Sequence, residues 1–202
     1  MTIKLVIGGF TLHVCSVYAP QVGLEEEVKA RFWEALDEVV RSVPSSYKII
    51  IAGDFNGHIG VLSGGYDDVH GGFAFSNRNG EGVTLLDFVR AFGLVIVNLG
   101  FPKKKDHLIT FRSVIAKTQI DFLLLRKRDG VLCKDCKVIP SEHFSTQNKL
   151  LMIDFFIKKS RAKESLPRIK WGGMTPISVL KIAEKVAGMR VWKCRGRRYY
   201  VG

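Results

Sequence analysis

At 202 residues and 47% hydrophobic content, the chain can bury one substantial core, and a single main domain is expected. No apolar run approaches the roughly 18 residues of a membrane span, and the N-terminus lacks the basic-then-apolar layout of a secretory signal. Membrane partners are therefore not expected, and the chain reads as intracellular, with the nucleus as a candidate compartment.

The formal charge of +12 is unevenly placed: 13 of the 31 Lys/Arg and two of the 19 acids follow residue 157, leaving 18 bases against 17 acids in residues 1–157. That division predicts a near-neutral domain over 1–157 and a basic linker and tail over 158–202. Such an extension suits non-specific contact with phosphate backbones, or is a solvated tail whose charge only opposes aggregation. Cys15, Cys133, Cys136 and Cys194 suit a reducing compartment. Cys133-Lys-Asp-Cys136 lacks a second Cys or His pair at zinc-ligand spacing.

In chain order, Ile3–Ile7 and Phe10–Tyr18 read as strands joined by a Gly8-Gly9 turn. Leu24–Val43 carries a helical apolar stripe through Val28, Phe32, Leu36, Val39 and Val40, with Glu25, Glu26 and Glu27 suited to its N-terminus and Pro44 to its stop. The β-branched run Ile49-Ile50-Ile51 then predicts a buried strand ending in Gly53-Asp54-Phe55-Asn56, followed by a glycine-rich loop from Gly57 to Gly80. A second helix is expected over Val83–Phe92, ended by Gly93. Further strands are expected over Leu94–Leu99, Leu108–Arg112, Gln119–Leu125, Lys134–Ile139 and Leu150–Ile157. Strands interleaved with helices indicate a layered α/β fold. Beyond Lys158 come a polar linker, Ser160–Pro167, one candidate helix over Thr175–Ala187, and a C-terminal end without a core pattern.

The chemistry concentrates where the Ile strand opens into its loop. An Asp can take a proton from water, and an Asn can donate to a phosphate oxygen without adding charge. In extended chain Asp54 and Asn56 would point to the same side. An isolated Asp-x-Asn more commonly closes a strand in an Asx-turn. Asp121 is an acid in an otherwise apolar strand, and it would be costly there without a partner.

Four segments in order turn this pattern into a resemblance: Val17-Tyr18-Ala19-Pro20, Gly53-Asp54-Phe55-Asn56, Gln119-Ile120-Asp121-Phe122, and Ser145-Thr146-Gln147-Asn148 before the last strand. Together they resemble the endonuclease/exonuclease/phosphatase (DNase I-like) family. Tyr-Ala-Pro-Gln and Gly-Asp-Phe-Asn-Gly-His resemble the forms carried by craniofacial-development-protein-2-like and plant LINE-type retrotransposon endonucleases. Arg168-Ile-Lys-Trp171 resembles the segment joining endonuclease to reverse transcriptase in plant retroelements.

The resemblance implies a partial two-sheet α/β sandwich with a basic, partly disordered tail, and a Mg²⁺-dependent phosphodiesterase acting on DNA or other nucleic acid. It assigns Asp54 to the attacking water, Asn56 to a phosphate oxygen beside the metal, Tyr18 to the phosphate, and Asp121 to orienting the terminal histidine. Asp54 and Asn56 would be the metal-side residues. Tyr18 could instead be a core residue with its hydroxyl at the rim.

Two departures argue against activity. The family's N-terminal strands, with their metal-ligating Glu, have no counterpart here, and Asn148 stands where the family carries histidine. An amide cannot carry a proton or a positive charge. His143 is a distant substitute; His13, His70 and His107 match nothing. The expectation is a degenerate, N-terminally truncated endonuclease domain with little or no activity. A non-catalytic nucleic-acid binder acting through the tail, and a sugar- or lipid-phosphate phosphatase, are the alternatives. Unpaired sheet edges left by the missing strands would favour oligomerisation or aggregation.

Overall fold

The computed structural model describes residues 1–7, 10–139, 147–156, 180, 181, 184, 191–194 and 197–200. The chain forms two compact units, residues 1–161 and 162–202. In the first, β1 (Thr2–Ile7), β2 (Phe10–Tyr18), β3 (Lys48–Asp54), β4 (Leu94–Ile96) and β7 (Asp121–Arg126) build a five-stranded sheet in the order β1-β2-β3-β7-β4. Strand β2 runs parallel to β3, and the other pairings are antiparallel. The parallel step requires a crossover, which α1 (Glu26–Ser42) supplies; α2 (Gly80–Ala91) lies between β3 and β4.

The period-two alternation of the strands divides the core between two faces. Ile49, Ile51, Phe122 and Leu124 pack with Leu36 and Val40 of α1 and with Leu85, Leu86 and Val89 of α2. On the opposite face Leu12, Ile50, Leu123 and Leu125 pack against a second, two-stranded sheet formed by β8 (Cys133–Ile139) and β9 (Leu150–Phe155). Cys133 and Cys136 are buried there, and Leu151, Ile153 and Phe155 are partly buried. Helices, a five-stranded sheet and a two-stranded sheet therefore stack in three layers.

Several boundaries differ from the sequence reading. Helix α2 starts at Gly80 because Asn79 caps it, its Oδ1 accepting from the backbone N–H of Gly82 at 2.9 Å. The expected strand Leu94–Leu99 keeps its ladder only to Ile96 and then tightens into a 3₁₀ turn, Val97–Leu99. Leu108–Arg112 pairs only at its end, as β5 (Phe111–Arg112) against β6 (Lys117–Thr118). In the second unit β10 (Val191–Cys194) pairs antiparallel with β11 (Arg197–Tyr200), where no element was expected. Two short runs can satisfy each other's backbone groups without a core. Most of the expected helix Thr175–Ala187 lies outside the described residues; Leu180, Lys181 and Glu184 are helical.

Gly53 is the tightest point of the main sheet. Its φ is +152°, and a Cβ there would fall 1.9 Å from the carbonyl oxygen of Val17, its partner on β2. Backbone cannot retreat from backbone inside a ladder. Gly53→Ala is therefore expected to cost about 2–4 kcal/mol, read as a lower urea midpoint with an unchanged slope.

Candidate active site

One register line places three of the expected residues side by side. Tyr18 pairs with Asp54 across β2 and β3, and Asp54 pairs with Asp121 across β3 and β7. Counting by two from Leu12, Ile50 and Leu123, all three lie on the face that packs against β8 and β9. They form a row across three strands at one sheet edge. Tyr18 is 64% exposed, which excludes the core role open to it in the sequence. Its hydroxyl accepts from Gln21 Nε2 at 3.3 Å.

Asp54 closes its strand in an Asx-turn: Oδ1 accepts from the Asn56 N–H at 2.8 Å. The turn and the acidic role are compatible, because the second carboxylate oxygen is left for other work. Asn56 departs from the extended geometry expected of it. Its φ is +48°, and Nδ2 donates to the Ala19 carbonyl at 2.7 Å, tying the loop after Tyr18 to the loop after Asp54. The helix side of this latch opens into a cavity of about 370 Å³ lined by Ala19, Pro20, Lys29, Trp33, Phe55 and Glu81.

Asp121 is held from two directions. Thr110 Oγ1 accepts from the Ile120 and Asp121 N–H groups at 3.1 Å each, and the Thr110 hydroxyl hydrogen-bonds the Asp121 carboxyl. Asn98 brackets the strand, accepting from Leu123 N at 3.0 Å and donating to Asp121 O at 3.1 Å. Asp121 Oδ2 is buried without a hydrogen-bond partner. Asn148 bridges to Phe111, with Lys149 N donating to Thr110 O at 2.7 Å, so it stands one strand beyond the Thr110 that grips Asp121. All five expected residues thus come to the same edge: three in a row, Asn56 just past it, and Asn148 across Phe111. His143 lies outside the described residues.

Electrostatics follow from placing two acids opposite each other. Burial, reinforced by the Asp121 charge, pushes the Asp54 carboxyl up to about 6, against the opposing hydrogen bond from Asn56. Burial also raises Asp121, against its bond to Thr110. Among the described residues no group of three or more His, Cys, Asp or Glu could hold a metal ion. Two carboxylates at one edge give a hard dication less than its oxygen-rich shell requires. The residues present do not by themselves fit a Mg²⁺ site.

Gln119 stands in the Gln119-Ile120-Asp121-Phe122 motif and Thr110 in the expected strand Leu108–Arg112, but neither was given a role by sequence, and Asn98 was not singled out. Gln119 is buried and accepts from Phe75 N at 3.0 Å, fastening the long loop beside the site. Buried polar residues inside apolar runs were the available signal. Beside Asn148 the β5–β6 hairpin projects Val114 and Ile115 fully exposed at its tip, with Arg112 and Lys117 paired at its base.

Residues 12–155 match the model of the endonuclease-reverse transcriptase family. The chain belongs to that family. It is 30% identical over 151 residues to craniofacial development protein 2 of Tragulus javanicus and of Bos taurus. The match covers 74% of this chain and 26% and 25% of theirs, so the chain spans about a quarter of these relatives' length. Among solved structures it resembles the endonuclease domain of TRAS1, a telomere-specific non-LTR retrotransposon (TM-score 0.50, 15% identity, 73% of this chain and 56% of that one). It also resembles a 3'-5' exonuclease of Neisseria meningitidis (0.55, 15%, 77% and 65%) and an AP endonuclease of Archaeoglobus fulgidus (0.54, 18%, 77% and 65%). At these identities the likeness establishes the DNase I-like α/β fold.

A carboxyl with a raised folded-state pKa favours the folded chain while it keeps its proton. That contribution is present below about pH 4 and is lost as pH rises through 6. Asp54→Asn keeps the Asx acceptor and removes the charge. It is expected to flatten the loss of stability between pH 4 and 6 and to raise stability at pH 7 by up to about 3 kcal/mol, measured by thermal denaturation across pH.

Proposed function

We propose that residues 1–157 are a retrotransposon-derived, endonuclease-like phosphodiesterase domain that engages nucleic-acid phosphates and retains little or no cleavage activity. The observation that supports this reading is the row Tyr18–Asp54–Asp121, with Asn148 in place of a titrating side chain. Asp54, held by Asn56 and raised toward neutrality, is suited to accept a proton from water. Tyr18 offers an exposed hydroxyl to a phosphate. Among the described residues Asp121 has no imidazole to orient, in keeping with its orphaned oxygen. Mg²⁺ is the ion this reading favours by family, with Asp54 and Asn56 on the metal side, but no step is assigned to it because the described residues do not complete its shell.

The test is nicking of supercoiled plasmid in Mg²⁺. The unmodified chain is expected to show no cleavage above that of Asp54→Ala, and Asn148→His alone is expected to restore almost none, since members of one catalytic unit do not fail additively. Robust, Asp54-dependent nicking by the unmodified chain would refute the reading.

A second reading has its own observation: 13 of the 31 basic residues fall in the last 45 positions, with Glu164 and Glu184 as their only acids. Here the basic tail carries nucleic-acid binding without catalysis. Binding to a DNA duplex should then survive Asp54→Ala, disappear on removing residues 158–202, and weaken steeply with salt, measured by fluorescence anisotropy. An intracellular, nuclear setting accords with either reading and is tested by imaging a tagged chain. Association of copies through unpaired edges is tested by light scattering.

A further inference from the structure

The main sheet carries unlike charge at its two ends. Strand β7 opens on Asp121 in the acidic row and closes on Arg126, roughly 17 Å further along the strand. Three links of the chain converge at that far end. Ser45 comes from the turn between α1 and β3, and Phe92 and Gly93 from the link between α2 and β4. Arg126, Lys127 and Arg128 come from the passage of β7 into a 3₁₀ turn, Lys127–Leu132. Together they line an open cavity of about 290 Å³. Backbone fixes the meeting point, with the Lys127 N–H donating to Gly93 O at 2.9 Å.

The charge around this cavity is not balanced. Arg126 donates to the carbonyls of Val43, Pro44 and Tyr47 at 2.7, 2.9 and 3.1 Å, which holds the end of α1 but brings no opposite charge. The acid that acts on it, Asp129, is buried and already bonded to Lys48 at 2.5 Å, with Arg128 at 3.8 Å. Burial and the Arg128 charge both work against the Arg126 cation. Arg41 lies 5.0 Å from the Phe92 ring centroid and is matched by Asp37, and Arg90, in the last turn of α2, is matched by Asp68. Lys127 makes no ion pair among the described residues, and its charge acts on the same Asp68. Six cations therefore meet three acids here, although over residues 1–157 bases outnumber acids by only 18 to 17.

We propose that this cavity is a binding site for a compact polyphosphate, the diphosphate or triphosphate group of an inorganic or nucleotide ligand. Several negative charges gathered in one small anion match the excess, whereas the phosphates of a nucleic-acid strand carry one charge each and are spaced along it. Lys127 and Arg128 are exposed and supply the free donors, and the Arg128 fork suits paired phosphate oxygens. The Ser45 hydroxyl adds a neutral donor at the rim. A cavity of this volume is at the small end of ligand pockets, so it takes the phosphate group and leaves an attached nucleoside in solvent. Bound there, the anion ties the three links together and stabilises the fold in proportion to its occupancy. The cavity and the row Tyr18–Asp54–Asp121 lie at opposite ends of β7, so the site is separate from the reaction proposed above.

The experiment titrates the full chain calorimetrically with pyrophosphate at about 0.15 M salt, where exposed charges are largely screened. Parallel arms use inorganic phosphate, a nucleoside diphosphate and a single-stranded oligonucleotide, and amide hydrogen exchange locates each ligand. Pyrophosphate is expected to bind at least tenfold more tightly than inorganic phosphate and to slow exchange at residues 92–93 and 126–128. Equal affinity for the nucleoside diphosphate supports recognition of the phosphate group alone, and a tighter fit for it supports a nucleotide as the source. Lys127→Glu combined with Arg128→Glu should weaken binding at least tenfold with unchanged far-ultraviolet circular dichroism. Lys104→Glu combined with Lys105→Glu makes the same change of charge at exposed positions that do not line the cavity, and should leave binding unaltered. Equal weakening by both pairs would overturn the proposal, because binding would then follow net charge. So would protection confined to residues 158–202, or equal protection of the cavity by the oligonucleotide at the same phosphate concentration. If the first pair does not fold, exchange in the unaltered chain still decides. None of these readings depends on cleavage, so the result separates from that of the nicking assay.

Discussion

The structure turns on the pairing of Asp54 with Asp121 across adjacent antiparallel strands. Like charges directly opposite each other destabilise a sheet, and burial makes the repulsion worse. A fold that only needed a stable sheet would put two aliphatic residues there, as it does two positions further in with Ala52 and Leu123. Holding the acids requires a dedicated frame: the Asx-turn at Asn56, the Thr110 hydroxyl, and the Asn98 side chain spanning β7. Much of the polar architecture of the domain is explained by this one pair. Sites that tolerate such cost are typically sites that use it.

The frame also explains where regular structure gives way. Strand β4 ends at Ile96 so that Asn98 can turn its amide toward β7, and the chain before β5 runs irregularly so that Thr110 can reach two N–H groups at once. At Gly53 the ladder approaches Val17 more closely than any side chain allows, just before the chain turns out of the strand. Departures from ideal strand geometry cluster at the edge that holds the acids, while the Ile49–Ile51 stretch deeper in the sheet is regular.

The element order and the placement of the candidate residues near one another were legible because the strands and helices that carry them rest on local rules. A continuous β-branched run marked β3, the Gly8-Gly9 turn signal marked β1 and β2, helical spacing marked α1, and the resemblance named Tyr18, Asp54, Asn56, Asp121 and Asn148 as a set. What was not legible depends on contacts distant in sequence. The short length of β4 follows from a bond between Asn98 and a strand about 25 residues later. The left-handed Asn56 follows from a partner, Ala19, that lies 37 positions upstream. The pair β10–β11 was missed because the C-terminal end carries no core pattern to read.

The acids lie on the face shared by the two sheets. Asp54 is buried and the Asp121 Oδ2 is screened from water, and that burial raises both carboxyls. The Asp121 Oδ2 has no hydrogen-bond partner there. Changing Asn148 alone addresses one side chain, whereas the dielectric, the packing and the charge balance act on the whole row together. The chemistry open to the row therefore depends on the packing around it as much as on any single residue of the site.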